Sequence, residues 1–279
     1  MFHMEAFRSS LSSGVTNVFQ QVTYVSAGSV LTALNNGVQI PIELPYLHSF
    51  GGIGATLENL KPQANSWLPA PFPEFAPNNV GTAAATPPKL WDLSRNPKAF
   101  RPTEEFDMYA SQTSAGAEVE AIFFNLCDGP PTPAPTPVSQ PTVNGVGQFF
   151  VAHGTASTTL TANAWTSVIP VLDQALPAGR YALVGARVMS AHALAFRVKP
   201  TVQPLWRPGG LAVQAAGSFD PPGQRYLNPL TGQVSHWGTW VTFYQNTVPQ
   251  VDIWATAADT SEDIFFDLIK ISDAITGGI

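Results

Sequence analysis

The chain has 279 residues, 44% of them hydrophobic, which is enough for a packed core in one large domain or two modest ones and excludes a disordered protein. Only 11% are Asp, Glu, Lys or Arg, against about 25% in an ordinary soluble domain, so much of the outer surface is uncharged and suits burial against other subunits. The net charge is −6, and the five lysines and eight arginines are scattered singly, which argues against nucleic-acid binding by phosphate neutralisation.

In chain order, Phe7, Leu11, Val15, Val18 and Phe19 recur at helical spacing, with Ser9, Ser10, Ser12, Ser13 and Asn17 filling much of the rest. This predicts a short amphipathic helix over 1–20, ahead of the first strand. It is expected to be an extra arm that packs under its own barrel, latches a neighbouring subunit or lies on a membrane surface, and that can be removed without unfolding the chain. The start lacks the basic and apolar regions of a signal peptide, and no stretch approaches the roughly 18 apolar residues of a membrane span. Synthesis in the cytoplasm is the expectation.

Twenty-six prolines and twenty-two glycines cut the rest into short pieces rich in Val, Ile, Thr, Phe, Tyr and Trp, the punctuation of a β-sandwich or barrel. In the second half eight strands are predicted, over 148–152, 164–169, 180–188, 192–198, 210–215, 236–244, 250–257 and 263–271. Eight is the strand number of a jelly roll. Between the halves, Gly129 to Pro141 holds six prolines, which fix φ and remove backbone donors, so this segment reads as a semi-rigid spacer.

The halves repeat one another. Leu60-Lys61-Pro62 with Trp67 matches Val198-Lys199-Pro200 with Trp206, and Trp91 matches Trp237. Phe106-Asp107-Met108-Tyr109-Ala110-Ser111 matches Val251-Asp252-Ile253-Trp254-Ala255-Thr256. Glu120-Ala121-Ile122-Phe123-Phe124-Asn125-Leu126 matches Glu262-Asp263-Ile264-Phe265-Phe266-Asp267-Leu268. The matches are collinear, at separations of 138 to 146 residues. They predict an all-β chain of two tandem eight-stranded jelly-roll sandwiches: a helical arm over 1–20, a first jelly roll over 21–128, a Pro-rich linker over 129–142 and a second jelly roll over 143–279.

Catalytic chemistry leaves no constellation. The chain has no nucleophile elbow and no phosphate-binding glycine loop. Cys127 is the lone cysteine, so neither an intrachain disulfide nor a thiolate metal site follows from it. His3, His48, His153, His192 and His236 lack metal-ligand spacing and read as structural. Glu104, Glu105, Glu118 and Glu120 have no facing partner for acid–base work. No catalytic, cofactor or metal residue is expected. Asp252, Asp259, Glu262 and Asp263 flank a turn that reads as a solvated bend at Asp259-Thr260-Ser261, with a calcium site as the sharper alternative; the corresponding bend of the first half is Ser-Ala-Gly. Trp67, Trp91, Trp165, Trp206, Trp237, Trp240 and Trp254 read as core or subunit interface, with a sugar-stacking face as the alternative.

The second half, through Leu160-Thr-Ala-Asn-Ala-Trp-Thr, Leu176-Pro-Ala-Gly-Arg-Tyr-Ala-Leu-Val-Gly-Ala-Arg, Trp206-Arg-Pro-Gly, Gly238-Thr-Trp-Val-Thr-Phe and Ile264-Phe-Phe-Asp-Leu-Ile, resembles the major capsid proteins of tailless, lipid-containing icosahedral bacteriophages, the Flavobacterium-infecting type above all. The resemblance implies a double jelly roll of the lineage shared with adenovirus hexon. It implies homotrimers of pseudo-hexagonal outline, in a virion shell over an internal membrane, with penton, spike or minor capsid proteins as further partners. The family has no catalytic residues to carry over. A tandem β-sandwich lectin or receptor-binding spike is the alternative function.

Overall fold

The computed structural model describes residues 2–13, 16–25, 30–67, 90–130, 132–138, 142–201, 205–212 and 238–273. The described residues are all β, apart from single 3-10 turns at Asn65–Trp67 and Val143–Gly145. The chain divides into two compact units, Met1–Pro130 and Pro131–Ile279.

In the first unit the strands are β1 (Phe2–Ser13), β2 (Gln20–Gln21), β3 (Thr32–Leu34), β4 (Gly37–Gln39), β5 (Tyr46–Ile53), β6 (Leu57–Ala64), β7 (Trp91–Asp92), β8 (Lys98–Ala99), β9 (Glu105–Gln112) and β10 (Gly116–Cys127). One sheet runs β1-β10-β5-β7, with β8 also on β5; the other has β9 at its centre, paired with β2, β4 and β6. The two sheets meet around Phe106, which is fully buried and lies against Phe7, Phe100 and Phe124 at ring separations of 5.7, 5.3 and 5.2 Å. Such edge-to-face contacts add to the area an aromatic core removes from water.

The predicted N-terminal helix is not formed. Residues 2–13 are instead a β-strand, in register with β10 from Phe2↔Cys127 to Ser13↔Gly116. Phe2, Met4 and Ala6 face one way and His3, Glu5 and Phe7 the other, and all six are buried. Five sparse apolar positions fit a helical stripe, but a twelve-residue partner strand supplies a full ladder of backbone hydrogen bonds that no isolated helical turn can match. Of the expected stripe, Phe7 is spent in the core and Val18 is 47% exposed. The expectation that this segment is dispensable falls with the helix.

In the second unit the strands are β11 (Phe149–Ala156), β12 (Trp165–Val168), β13 (Val171–Leu172), β14 (Gly179–Met189), β15 (Ala193–Lys199), β16 (Gly209–Leu211), β17 (Val241–Tyr244), β18 (Gln250–Ala255) and β19 (Glu262–Asp273). They lie within a few residues of the eight predicted strands, with the two-residue β13 in addition. Residues 213–215 and 236–237 of the predicted strands fall outside the described residues. The sheets are β13-β11-β19-β14-β17 and β12-β18-β15-β16.

The pairings nest. Setting β13 aside, first pairs with eighth (β11 with β19), second with seventh (β12 with β18), third with sixth (β14 with β17) and fourth with fifth (β15 with β16). This is the order made by rolling up one long antiparallel hairpin, the jelly roll. The first unit shows the same nesting in three pairs among its described residues: β1 with β10, β2 with β9, and β5 with β7. Two of the sequence matches land on equivalent places in it: Ile122–Leu126 and Ile264–Leu268 lie in the last strands β10 and β19, and 106–111 and 251–256 begin in β9 and β18, the strands before them. The Lys-Pro match does not: Leu60 faces Ala110, whereas Val198 faces Val251, the match of Phe106, whose own partner is Ala64, so the two runs on β6 and β15 are four residues out of register.

Part of the Pro-rich segment covers the second unit. Ala134 packs on Ala182, Val184 and Ile269, the Thr132 carbonyl accepts from the Thr239 amide at 2.9 Å, and the Val138 amide donates to Gly147 at 2.8 Å. A chain with few N–H groups leaves few donors to satisfy when it lies across a sheet.

Candidate functional site

The four carboxylates at the β18–β19 end go separate ways. Asp252, 1% exposed, stands between two guanidiniums, Arg197 Nε at 2.8 Å and Arg207 Nη1 at 2.5 Å, and accepts from Ser167 Oγ at 2.5 Å. Burial raises its pKa, but the charge of Arg197, the hydrogen bonds from Ser167 and Arg197, and the charge of Arg207 together hold it below the usual value. Arg197 also lies over the Trp165 ring, 4.3 Å from its centre. This cluster bolts β12, β15 and β18 together. Asp107, the matching residue of the first unit, pairs with no guanidinium among the described residues. It accepts from Gln21 Nε2 at 2.9 Å, and burial pushes its pKa up despite that bond.

Asp259 accepts from Ser190 Oγ at 2.5 Å and from the Thr260 amide at 2.8 Å. Burial raises its carboxyl, but these bonds, with one from the Ser261 amide and the charge of His192, bring it below the ordinary range. Glu262 is buried, with no hydrogen-bond partner for either carboxylate oxygen among the described residues, and burial first, then the charge of Asp259, pushes its pKa up to about 7. Asp263 turns to the other face of β19. Among the described residues no three His, Cys, Asp or Glu side chains cluster as metal ligands, so the turn does not gather its four carboxylates on one ion.

Asp263 meets His153 instead. The His153 ring lies between Asp173 Oδ2, 2.5 Å from Nδ1, and Asp263 Oδ1, 3.1 Å from Nε2, and tilts over Phe265 at 4.5 Å. Gly154 lets β13 come this close, since a Cβ there would sit 2.8 Å from the Val171 carbonyl oxygen. A cavity of about 490 Å³, lined in part by Gln148, Val151, Leu176, Tyr181 and Lys270, opens beside the ring. Partial burial lowers the imidazole pKa, but the hydrogen bonds to Asp173 and Asp263 and then their charges outweigh it, so the pKa is raised above 6.5. An NMR titration is therefore expected to place the His153 midpoint above 6.5, and Asp173→Asn to lower it. Because the folded pKa is raised, the stability this clamp adds is complete below 6.5 and is lost as pH rises through the folded value; with the ring a third exposed it amounts to under about 1 kcal/mol. A midpoint at or below 6.5 in the native chain would refute the clamp.

The other candidates lie mostly within the packing. His3 and Glu5 are both fully buried, 2.6 Å apart. His48, buried against Phe2 and 3.1 Å from Ser49 Oγ, has its pKa lowered to about 4, chiefly by burial. His236 lies outside the described residues. Burial pushes the Cys127 thiol up to about 11, which leaves it unreactive. Glu104 caps Ser66, whose hydroxyl donates to it at 2.6 Å. Among the described tryptophans none is exposed: Trp67, Trp240 and Trp254 are buried, Trp91, Trp165 and Trp206 partly so, and Trp237 lies outside the described residues.

The sequence reading missed both ionic groupings. No local motif announces them, because Asp173 and Asp263 lie 20 and 110 residues from His153, and Arg197 and Arg207 lie 55 and 45 residues from Asp252.

No protein-family model and no curated protein matches the chain. Among solved structures, the major capsid protein P2 from bacteriophage PM2 aligns over 100% of both chains, at 10% sequence identity and a TM-score of 0.24. A likeness at that score carries no argument about function.

Proposed function

We propose that the chain is the major capsid protein of a tailless icosahedral virus, its two units forming a double jelly roll that assembles as pseudo-hexameric homotrimers into the virion shell. The observation that carries this reading is the same nested strand order in both units of one chain. Three copies of a duplicated sandwich place six similar units about a true threefold, which lets them tile near-hexagonal positions. The charged fraction of 11% supports it, since a surface poor in charge suits lateral burial. So does the use of tryptophan in the interior, where a glycan-binding lectin needs exposed rings. Ion pairs tie strands together inside the second unit, in keeping with a structural role. An internal membrane and vertex proteins belong to the same reading, on the sequence resemblance to lipid-containing phages.

Native mass spectrometry of the purified chain is expected to give a trimer of 29.8 kDa subunits, and negative-stain images are expected to show pseudo-hexagonal particles and larger shells. Monomer alone over a wide concentration range would overturn the proposal. A soluble oligomer that binds a glycan array and forms no shell would transfer it to a lectin.

A further inference from the structure

β11 is paired along its whole length on one side, by β19, and only in part on the other. The Gln148 carbonyl accepts from the Lys270 amide, so alternate residues from 148 turn their N–H and C=O groups to β19, and 149, 151 and 153 turn theirs away. On that far side β13 takes up Gly154 and Thr155, and the His153 carbonyl accepts from the Asp173 amide at 3.0 Å. Beyond Asp173 the chain leaves the edge. The cavity of about 490 Å³ lies there, with residues 148–153 on one wall and 173–177 on the other. Neither the amide nor the carbonyl of Val151 has a backbone partner among the described residues. The lane in which a further strand would run is open. Four large apolar side chains stand exposed on or beside this margin: Val138, Val151, Ile169 and Val171, at 44, 47, 65 and 70%. A border of β-branched residues in water suits a protein strand laid against it. The charges at the cavity are already matched, Lys270 by Asp273 at 2.8 Å and His153 by Asp173 and Asp263, so a charged occupant gains little there.

The geometry points to a strand-addition site: the edge of β11 at Val151 takes an extended, uncharged segment of a second copy of this chain as an added strand. Main-chain hydrogen bonds would give the affinity and the apolar border the fit. An extended chain rises about 3.3 Å per residue, so about three or four residues cover the open stretch from Phe149 to Ala152. A chain with 11% charged residues is rich in uncharged segments of this kind, which matches the neutral lane. The inference rests on the capsid reading, in which copies stand against one another at high density.

The test compares the full native chain with Val151→Pro. Proline removes the outward N–H and leaves the ladder to β19 intact, and edge strands tolerate it. Hydrogen exchange at single-amide resolution is read in dilute and in assembled samples, and association is followed by native mass spectrometry. On assembly the Val151 amide is expected to slow by about tenfold or more, and Val151→Pro, folded by circular dichroism, should associate about tenfold more weakly. A native chain that assembles with an unchanged Val151 amide, or a folded Val151→Pro that assembles at full strength, would overturn strand addition and leave the capsid reading standing. A native chain that stays monomeric at every concentration would overturn both. Oligomers with a slowed Val151 amide and no shell would uphold strand addition against the capsid reading. Should Val151→Pro not fold, Val151→Lys decides by the same readings, since this half-exposed position carries a charge without burying it in the core, and full-strength association would count against the site.

Discussion

Replacing Asp252 by alanine is expected to destabilise the second unit by about 3–5 kcal/mol, the usual cost of breaking a buried ion pair by removing one partner. The carboxylate serves Arg197, itself 0% exposed in its side chain, and Arg207, 16% exposed. Without it, both guanidiniums lose this carboxylate in a site that little water reaches. Asp252→Asn should cost less, because an amide oxygen still accepts from Arg197 and Ser167 although the charge is lost. Asp263→Ala is the comparison: that carboxylate is 36% exposed, and its removal should cost under about 1 kcal/mol. Urea unfolding followed by Trp fluorescence reads all three, since Trp165 and Trp254 lie beside the cluster, with ring centres 5.5 Å apart. An Asp252→Ala midpoint equal to that of the native chain would mean that water already reaches the arginines.

Phe106→Ala is expected to cost the first unit about 3–5 kcal/mol, the sum of a lost aromatic transfer term and the cavity left behind. The ring is 0% exposed and is the common neighbour of Phe7, Trp67, Phe100 and Phe124. Its surroundings come from separate strands and turns, which cannot all close inward at once, so the upper half of that range is expected. Phe106→Leu should recover more than half of the loss by refilling volume. Differential scanning calorimetry would register the change, and a loss below about 1 kcal/mol would show that the aromatic cluster collapses freely and is not the keystone of this unit.

By itself the sequence determined the all-β class and most of its strands. The runs ending at Leu126 and Leu268 were legible because strands buried on both faces must be apolar at nearly every position. Tertiary structure decided the rest. Phe7, Leu11, Val15, Val18 and Phe19 satisfy a helical period on paper, and only the presence of β10 as a twelve-residue partner makes residues 2–13 a strand. Asp107 and Asp252 hold the same place in the repeat, yet burial raises one and two arginines lower the other. Their partners arrive from other strands, Gln21 of β2 for Asp107 and Arg197 of β15 for Asp252. The same holds for His153 and for Glu262. Backbone periodicity is a local property that a chain carries with it, whereas the charge and water around a side chain are set by strands that nested pairing brings from far along the sequence.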